Sequence, residues 1–480
     1  METLKEKTAK GLMWGGLSNG VQQLLNLVFG VFLARLLNAD DYGMVGMLAI
    51  FSLLATAFIE SGFTNSLARK KDASHRDFNA VFWCSLLIGV VLYAVLFVSA
   101  PLIARFFHQP ELVPLSRFLF IAFVISSTAI VPNALFYRQL EVKKKAIAQI
   151  TALMVSGVVG ITMAWHHLSY WGIATQNVVY VTVFTVLMWW NTSWRPTLHI
   201  DFKPVREMLS FSSKLMLTNV FLHVNNNILS VLLGRWYTRA DVGNYTQANK
   251  WNTMGYSLIA NMISGVAMPV LNSVSDNRGR QRQVFRKMLR FTAFVSFPLM
   301  FGLALVSEEF ITIAITDKWL PAAHLMQLLC IMGAFAPIST LYTNLIISDG
   351  RGNTFMWGSI GLGLMQIAVL TTMRQLGIVP MVATYAGLYV AWLLVWHYWA
   401  HRILGLSILE VLKDVVPFLL ITAIALVATH FATQPIANVY LRFGAKIGCA
   451  ALIYIGIMRL ANAAILKESI EYIFKHKINE

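Results

Sequence analysis

Charge is scarce in this sequence. Only 12% of its 480 residues are Asp, Glu, Lys or Arg, against about 25% in a soluble domain, while 57% are hydrophobic and the mean hydropathy is +0.63. So few charges cannot cover the surface of a soluble fold. Acids are scarcer still, 22 against 38 bases, which leaves a net charge of +16. A basic excess suits nucleic acid only when it gathers on a hydrophilic domain, and no hydrophilic stretch here is long enough to build one. Nucleic acid is therefore excluded as a partner, and the charge belongs beside membrane spans. Cysteine is nearly absent: Cys84, Cys330 and Cys449 lie far apart in apolar runs, with no CxxC pair, which excludes a disulfide framework and a zinc site. Walker A, HExxH and nucleophile-elbow patterns are also missing, so the common hydrolytic chemistries have no visible site and no cofactor is expected.

Long apolar runs fill the chain instead. A bilayer core of about 30 Å needs roughly 20 apolar residues per helix, and runs of that length begin near Leu12, Tyr42, Phe78, Leu112, Ala146, Tyr170, Met208, Val242, Met288, Ala322, Asn353, Val379, Asp414 and Val439. The expected fold is thus all-α and integral to the membrane, with fourteen transmembrane helices. The first run reaches about Leu37, too long for a signal-peptide core, and reads as a retained span. Pro132, Pro269, Pro298 and Pro337 fall inside spans, which membrane helices tolerate where neighbours take up the freed carbonyls. The segment 465–478 reads as an amphipathic surface helix.

Basic residues are retained on the cytoplasmic side. With the N-terminus inside, alternate loops collect Lys5, Lys7 and Lys10; Arg69, Lys70, Lys71 and Arg76; Arg138 with Lys143 to Lys145; and a dense group, Arg278, Arg280, Arg282, Arg286, Lys287 and Arg290. Losing or adding one span would scramble this alternation. Both termini are therefore expected in the cytoplasm.

The sequence also repeats. Leu17, Asn19, Asn26, Val31, Leu33, Arg35, Asp41 and Gly43 recur 200 positions later as Leu217, Asn219, Asn226, Val231, Leu233, Arg235, Asp241 and Gly243. The shared frame, Arg-x5-Asp-x-Gly, includes polar and special residues set in an apolar ladder, the pattern of a duplication. Six spans separate the copies, so both halves sit the same way up, related by an axis along the membrane normal. This predicts two parallel-repeat six-helix lobes around a central cavity, plus two C-terminal helices. The lobes are expected over residues 1–190 and 208–403, joined by a cytoplasmic hinge at 191–207, with 404–480 holding the last two spans and the tail.

The stretch Asn227-Ile-Leu-Ser-Val-Leu-Leu-Gly234-Arg235-Trp-Tyr-Thr-Arg-Ala-Asp241-Val-Gly243-Asn-Tyr245-Thr-Gln-Ala248-Asn-Lys250 resembles one carried after the seventh span by the polysaccharide transporters of the multidrug/oligosaccharidyl-lipid/polysaccharide exporter superfamily. Gly265-Val-Ala-Met-Pro269, Asp317-Lys318-Trp319 with Ala322 and Ala323, and Phe136-Tyr137-Arg138 before Lys143 to Lys145 add to the resemblance, which covers nearly the whole chain in order. It implies a bacterial inner-membrane flippase, not an enzyme. The implied substrate is an undecaprenyl-diphosphate-linked oligosaccharide, an O-antigen or exopolysaccharide repeat unit, moved from the inner to the outer leaflet by alternating access. Membrane lipids, a glycan polymerase and export machinery are the implied partners. A cation-coupled multidrug exporter of related fold would need a secluded acid pair, and only Glu60 is secluded. A glycan polymerase or ligase would need a sizeable outer loop.

Lys250 is the sharpest candidate for substrate contact, because an ionisable group within a span costs about 2.5 to 3.5 kcal/mol and commonly faces a polar cavity; the alternative is a side chain that snorkels to the interface. Glu60 is the candidate for carrying a coupling proton, against a salt bridge that ties the second span to a neighbour. Arg35 and Arg235 either touch sugar or phosphate or pair with Asp41 and Asp241 at the outer helix ends. Gln22, Gln23, Asn19 and Asn26, with Asn219 and Asn225 to Asn227 in the other half, give each lobe an amide stripe at helical spacing, suited to sugar hydroxyls or to gluing helices together. His397 and His401 have a metal-like spacing but lack an acidic third ligand, so no metal is expected.

Overall fold

The computed structural model describes residues 4–60, 67, 70, 72–139, 141–198, 201–461 and 465–466. Among them every regular element is a helix, as expected of a chain that must satisfy its backbone within lipid. Packing divides the chain into two compact units, residues 1–243 and 244–480.

The first unit holds α1 (Leu4–Leu36), α2 (Ala39–Glu60), α3 (His75–Phe107), α4 (Leu112–Leu119), α5 (Ile121–Thr128), α6 (Ile130–Arg138), α7 (Val142–Trp165), α8 (Trp171–Trp190) and α9 (Lys203–Trp236). The helix α10 (Arg239–Ser273) starts in the first unit and continues into the second. There follow α11 (Arg278–Leu305), α12 (Ser307–Ile315), a 3-10 turn at Asp317–Trp319, α13 (Leu320–Ser348), α14 (Gly352–Thr372), α15 (Ile378–Ala391), α16 (Leu393–Leu404), α17 (Ile408–Thr433) and α18 (Val439–Leu460). Among the described residues, eleven helical segments are long and apolar enough to cross a membrane, or twelve if the bent α4 to α6 segment is one span.

That bend follows from local sequence. The segments Leu112–Thr128 and Ile130–Arg138 meet at 42°. Pro132 stands in the first turn of α6 and lacks the N–H that would continue the α5 ladder. Just before it, Ser126, Ser127 and Thr128 turn their hydroxyls back onto the carbonyls of Phe123, Val124 and Ile125 at 3.1, 2.8 and 2.7 Å, a competition that further loosens a helix. Pro269, Pro298 and Pro337, by contrast, lie inside α10, α11 and α13 without dividing them.

In the first unit α7 packs between α1 and α8, while α9 packs on α2 and α3. The α9 contact is close because Gly234 has no side chain: a β-carbon there would lie 2.9 Å from both Met47 and the Phe107 ring. So α9, the sequence copy of α1, belongs by packing to the first unit. In the second unit α11 packs on α13 and α17, with α18 laid along α17.

The stretch expected to act as a hinge is strapped down. Trp194 Nε1 donates to His75 Nδ1 at 3.0 Å, the Thr197 N–H donates to Asn79 Oδ1 at 2.8 Å, Trp83 Nε1 donates to the Thr197 carbonyl at 2.7 Å, and Arg76 Nε donates to Asp201 at 2.7 Å. All four hold it to the first turns of α3. The surface helix expected over 465–478 lies almost wholly outside the described residues.

Candidate functional site

A cavity of about 590 Å³ opens inside the first unit, between α2, α4 to α6, α7 and α8. Most of its wall is apolar, including Val45, Ala49, Phe123 and Phe184, but polar groups converge on it: Ser52, Ser126, Asn133, Lys145, Gln149, Asn177, Tyr180 and Thr185. No acid lines it among the described residues. The bend at Ala129 shapes one wall, with Ser126 before it and Asn133 after it. Two of these polar atoms, Asn133 Oδ1 and Thr185 Oγ1, are buried without a hydrogen-bond partner, and Thr185 as a residue is only 6% exposed. Such atoms cost about 1 to 3 kcal/mol each, so a mostly apolar pocket carrying a few convergent polar groups has the character of a ligand site. Asn177 is exposed, which puts one amide at the cavity's open side.

The candidates named from sequence are dispersed relative to this cavity. Gln22 lies beside it: its Nε2 donates to Ser18 Oγ at 2.9 Å and to the lining Gln149 at 3.4 Å. Gln23 is half-buried on the same helix, and Asn26 is exposed. Asn226 is exposed, and Asn227 donates back to the His223 carbonyl at 2.9 Å. Lys250 belongs to the second unit, where it is half-buried with its Nζ 5.5 Å from the centre of the Trp251 ring. Around it on α10, Gln247 and Asn252 are fully buried, with both polar atoms of each amide lacking a protein partner. The side chains of Glu60 and Asn219 lie outside the described residues. His397 faces the Tyr342 hydroxyl at 3.3 Å, and His401 bonds the Leu406 carbonyl at 2.9 Å.

The repeated aspartates bond locally at the starts of α2 and α10. Asp41 accepts from the Asn38 N–H at 3.0 Å while its own N–H donates to Asn38 Oδ1 at 3.0 Å, and it also accepts from Ser169. Asp241 and Thr238 reciprocate in the same way at 3.1 and 3.2 Å. Each Asp closes a capping box at the start of α2 or α10. Arg235 therefore does not pair with Asp241: it donates to the Phe106 carbonyl at 2.8 Å, meets the His108 ring and lies 5.3 Å from the centre of the Phe106 ring. Arg35 is exposed.

The profile of a family described as "Polysaccharide biosynthesis protein" matches residues 32–324. The chain belongs to this polysaccharide biosynthesis family. It is 24% identical over 472 residues to the teichuronic acid biosynthesis protein TuaB of Bacillus subtilis, covering 95% of this chain and 96% of that one. It is 25% identical over 355 residues to the lipopolysaccharide biosynthesis protein WzxC of Escherichia coli, covering 73% and 71%. Its fold resembles that of the lipid II flippase MurJ in an inward closed conformation, with a TM-score of 0.74 at 14% identity over 96% of this chain and 99% of that one. With its many apolar helices and bacterial relatives, this member of the polysaccharide biosynthesis family is a multi-pass protein of the bacterial inner membrane.

Two ion networks in this family member escaped the sequence reading. Arg286 forks onto Asp414 at 2.6 and 3.1 Å and reaches Glu410 at 3.1 Å, tying α11 to α17. Lys446 of α18 donates to Glu309 of α12 at 2.7 Å and to the Leu305 carbonyl at 3.0 Å, and Arg442 pairs with the same carboxylate at 2.7 Å. Glu309 is 2% exposed and Lys446 8%. Residues 137 apart in sequence carry no local signal of such a pair; the only hint is that these charges interrupt apolar runs.

Proposed function

We propose that the chain carries an undecaprenyl-diphosphate-linked oligosaccharide from the inner to the outer leaflet by alternating access, without catalysing a chemical step. The observation that carries this reading is the polar cavity in the first unit. Amides and hydroxyls collected inside membrane-crossing helices, two of them buried with an atom left unpaired, suit passage of a hydrophilic group through an apolar barrier. The names of the family and of its relatives supply the pathway class, and the fold is one found in a lipid flippase. A membrane potential negative inside favours outward movement of the diphosphate by about 2.3 kcal/mol per charge per 100 mV.

In the full proposal α2 and α9 join the apolar segments to make fourteen spans with both termini cytoplasmic. The two repeat halves, 1–190 and 208–403, act as the rocking lobes, with α9 of the second half moving with the first unit on which it packs, and a glycan polymerase and export machinery take the product. Lys250, with Gln22, Gln23, Asn26, Asn226, Asn227, Arg35 and Arg235, contributes polar contacts along the path, and Glu60 carries any coupling proton. The test is complementation of a flippase-deficient host that makes the cognate repeat unit, with surface glycan and inner-leaflet intermediate both quantified. The wild-type chain should restore the first and clear the second. An intermediate that stays trapped in every cognate host, despite normal chain abundance, would defeat the proposal.

A further inference from the structure

The duplication extends past the frame of the first spans. At an offset of 205 residues Ala129, Pro132 and Tyr137 recur as Ala334, Pro337 and Tyr342, and Gly172, Ile173 and Tyr180 recur as Gly377, Ile378 and Tyr385. These matches fall on the helices that wall the cavity of the first unit, so each wall residue can be compared with its counterpart in the second. Asn133, Asn177 and Thr185 become Ile338, Val382 and Val390, while Val45 becomes Tyr245 at the offset of 200. Ile338, Val382 and Tyr245 are 3%, 0% and 1% exposed, and Tyr245 and Tyr389 lie near Tyr385. At these positions the second copy has aliphatic or aromatic side chains where the first lines an open cavity, while the lining Ser52 becomes the buried Asn252.

The fold therefore does not require polar residues at the positions of Asn133, Asn177 and Thr185. Protein interiors close their voids, and the buried Ile338, Val382 and Tyr245 are side chains that fill space at these positions. Keeping the space open in the first copy, with buried polar atoms unpaired, makes sense when a ligand completes them. The chemistry of the wall selects that ligand. Asn133 Oδ1 is an acceptor, so its partner must supply a donor, which a fully ionised phosphate lacks and a hydroxyl has; Thr185, Lys145 and Asn177 can donate to the oxygens of the same hydroxyl-bearing ligand. Tyr180 and Phe184 lie nearly parallel, 3° apart with ring centres 6.2 Å from each other, and offer a flat apolar face beside the amides.

We infer that this cavity is a recognition subsite for a hydroxyl-bearing sugar ring. The subsite sets which glycan is accepted; the lipid diphosphate is held elsewhere. The inference rests on the proposed flipping function for its physiological ligand, but its occupancy can be measured without transport.

The experiment uses the full chain in lipid nanodiscs, with Cys84, Cys330 and Cys449 replaced by Ala and Ala122→Cys introduced in the cavity wall; Asn177→Cys, at the open side, is a second reporter. The rate of labelling by a water-soluble maleimide is read with methyl glycosides of neutral hexoses and of N-acetylhexosamines as probes, and with inorganic phosphate and mannitol as comparisons. At least one glycoside should slow labelling several-fold where phosphate and mannitol do not, and adding Val45→Tyr, the second unit's residue, should abolish that protection. Protection by phosphate or mannitol alone, equal protection by all probes, no protection at either reporter, no labelling at either, or protection that survives Val45→Tyr would each overturn the subsite. In cells the isosteric Asn133→Leu and Thr185→Val should each lower glycan export about tenfold, the worth of one hydrogen bond to substrate, at unchanged chain abundance. A wild-type chain that binds glycosides but never restores export would instead remove the flippase reading and leave the subsite standing.

Discussion

Gly243 and Ala39 meet backbone to backbone: a β-carbon on Gly243 would lie 1.8 Å from the Ala39 carbonyl oxygen, and one on its repeat partner Gly43 would lie 2.0 Å from the Arg239 carbonyl oxygen. The starts of α2 and α10 thus pack through the two glycines of the repeated Arg-x5-Asp-x-Gly frame, each start capped by the Asp of the same frame. The repeat was visible in sequence, but its meaning is this reciprocal contact. Backbone atoms cannot move aside as a flexible side chain can. Gly243→Ala should therefore destabilise the purified protein by about 2 kcal/mol, in the range of overpacking changes, and lower its thermal midpoint. Gly265→Ala, with nothing within 4 Å of the added carbon, should instead be neutral or gain up to about 1 kcal/mol. Equal midpoints for the two variants would count against the close approach.

The strap over the start of α3 should control access to the segment between the repeats. Asn79 is buried and holds the Thr197 N–H. Asn79→Ala should speed chymotryptic cleavage after Trp194 and Phe202 about tenfold, the effect of losing roughly one hydrogen bond, with the cleavage rate followed by gel or mass spectrometry. An unchanged rate would show that the strap does not depend on that bond.

The pair of Glu309 and Lys446 is buried, so each partner depends on the other. Glu309→Ala leaves Lys446 uncompensated and should cost about 3 kcal/mol, read as lost thermal stability in detergent. Replacing both, as Glu309→Leu with Lys446→Met, should recover much of the loss, because an apolar pair of similar volume needs no desolvation. A double variant no better than the single one would mean that Arg442, which shares the carboxylate, dominates the cluster.

Lys250 begins about 16 Å along α10 from Arg239, counting 1.5 Å per residue, and shares that stretch with the unpartnered amides of Gln247 and Asn252. Lys250→Ala should lower export about tenfold at normal abundance, with lipid-linked intermediate accumulating inside, while Lys250→Arg should keep most activity because the charge remains. Export unaffected by Lys250→Ala would reduce the residue to an interfacial anchor stacked near Trp251.

Hydropathy, the basic loops and the duplication are properties of neighbouring residues or of fixed offsets, and the sequence alone determined from them an all-helical membrane protein built from two related halves. The bilayer makes this legible, since every span must be apolar over a set length. The candidate site was only partly legible. Gln22 was named, but Asn133, Asn177 and Thr185 passed as ordinary polar residues, because nothing in their own surroundings distinguishes a helix-gluing amide from a cavity wall. Asp41 and Asp241 were noticed as repeat partners and weighed as ion-pair partners of Arg35 and Arg235, but their reciprocal bonds with Asn38 and Thr238 were not foreseen, since a capping box is recognised only once the helix start is known. Tertiary structure decided what depends on distant segments meeting: the cavity between α2, α4 to α8, the buried ion pair of Glu309 and Lys446, and the contact of Gly243 with Ala39. Helices place side chains around an axis according to local sequence, but which helix they face, and whether the space between is filled, is settled by packing.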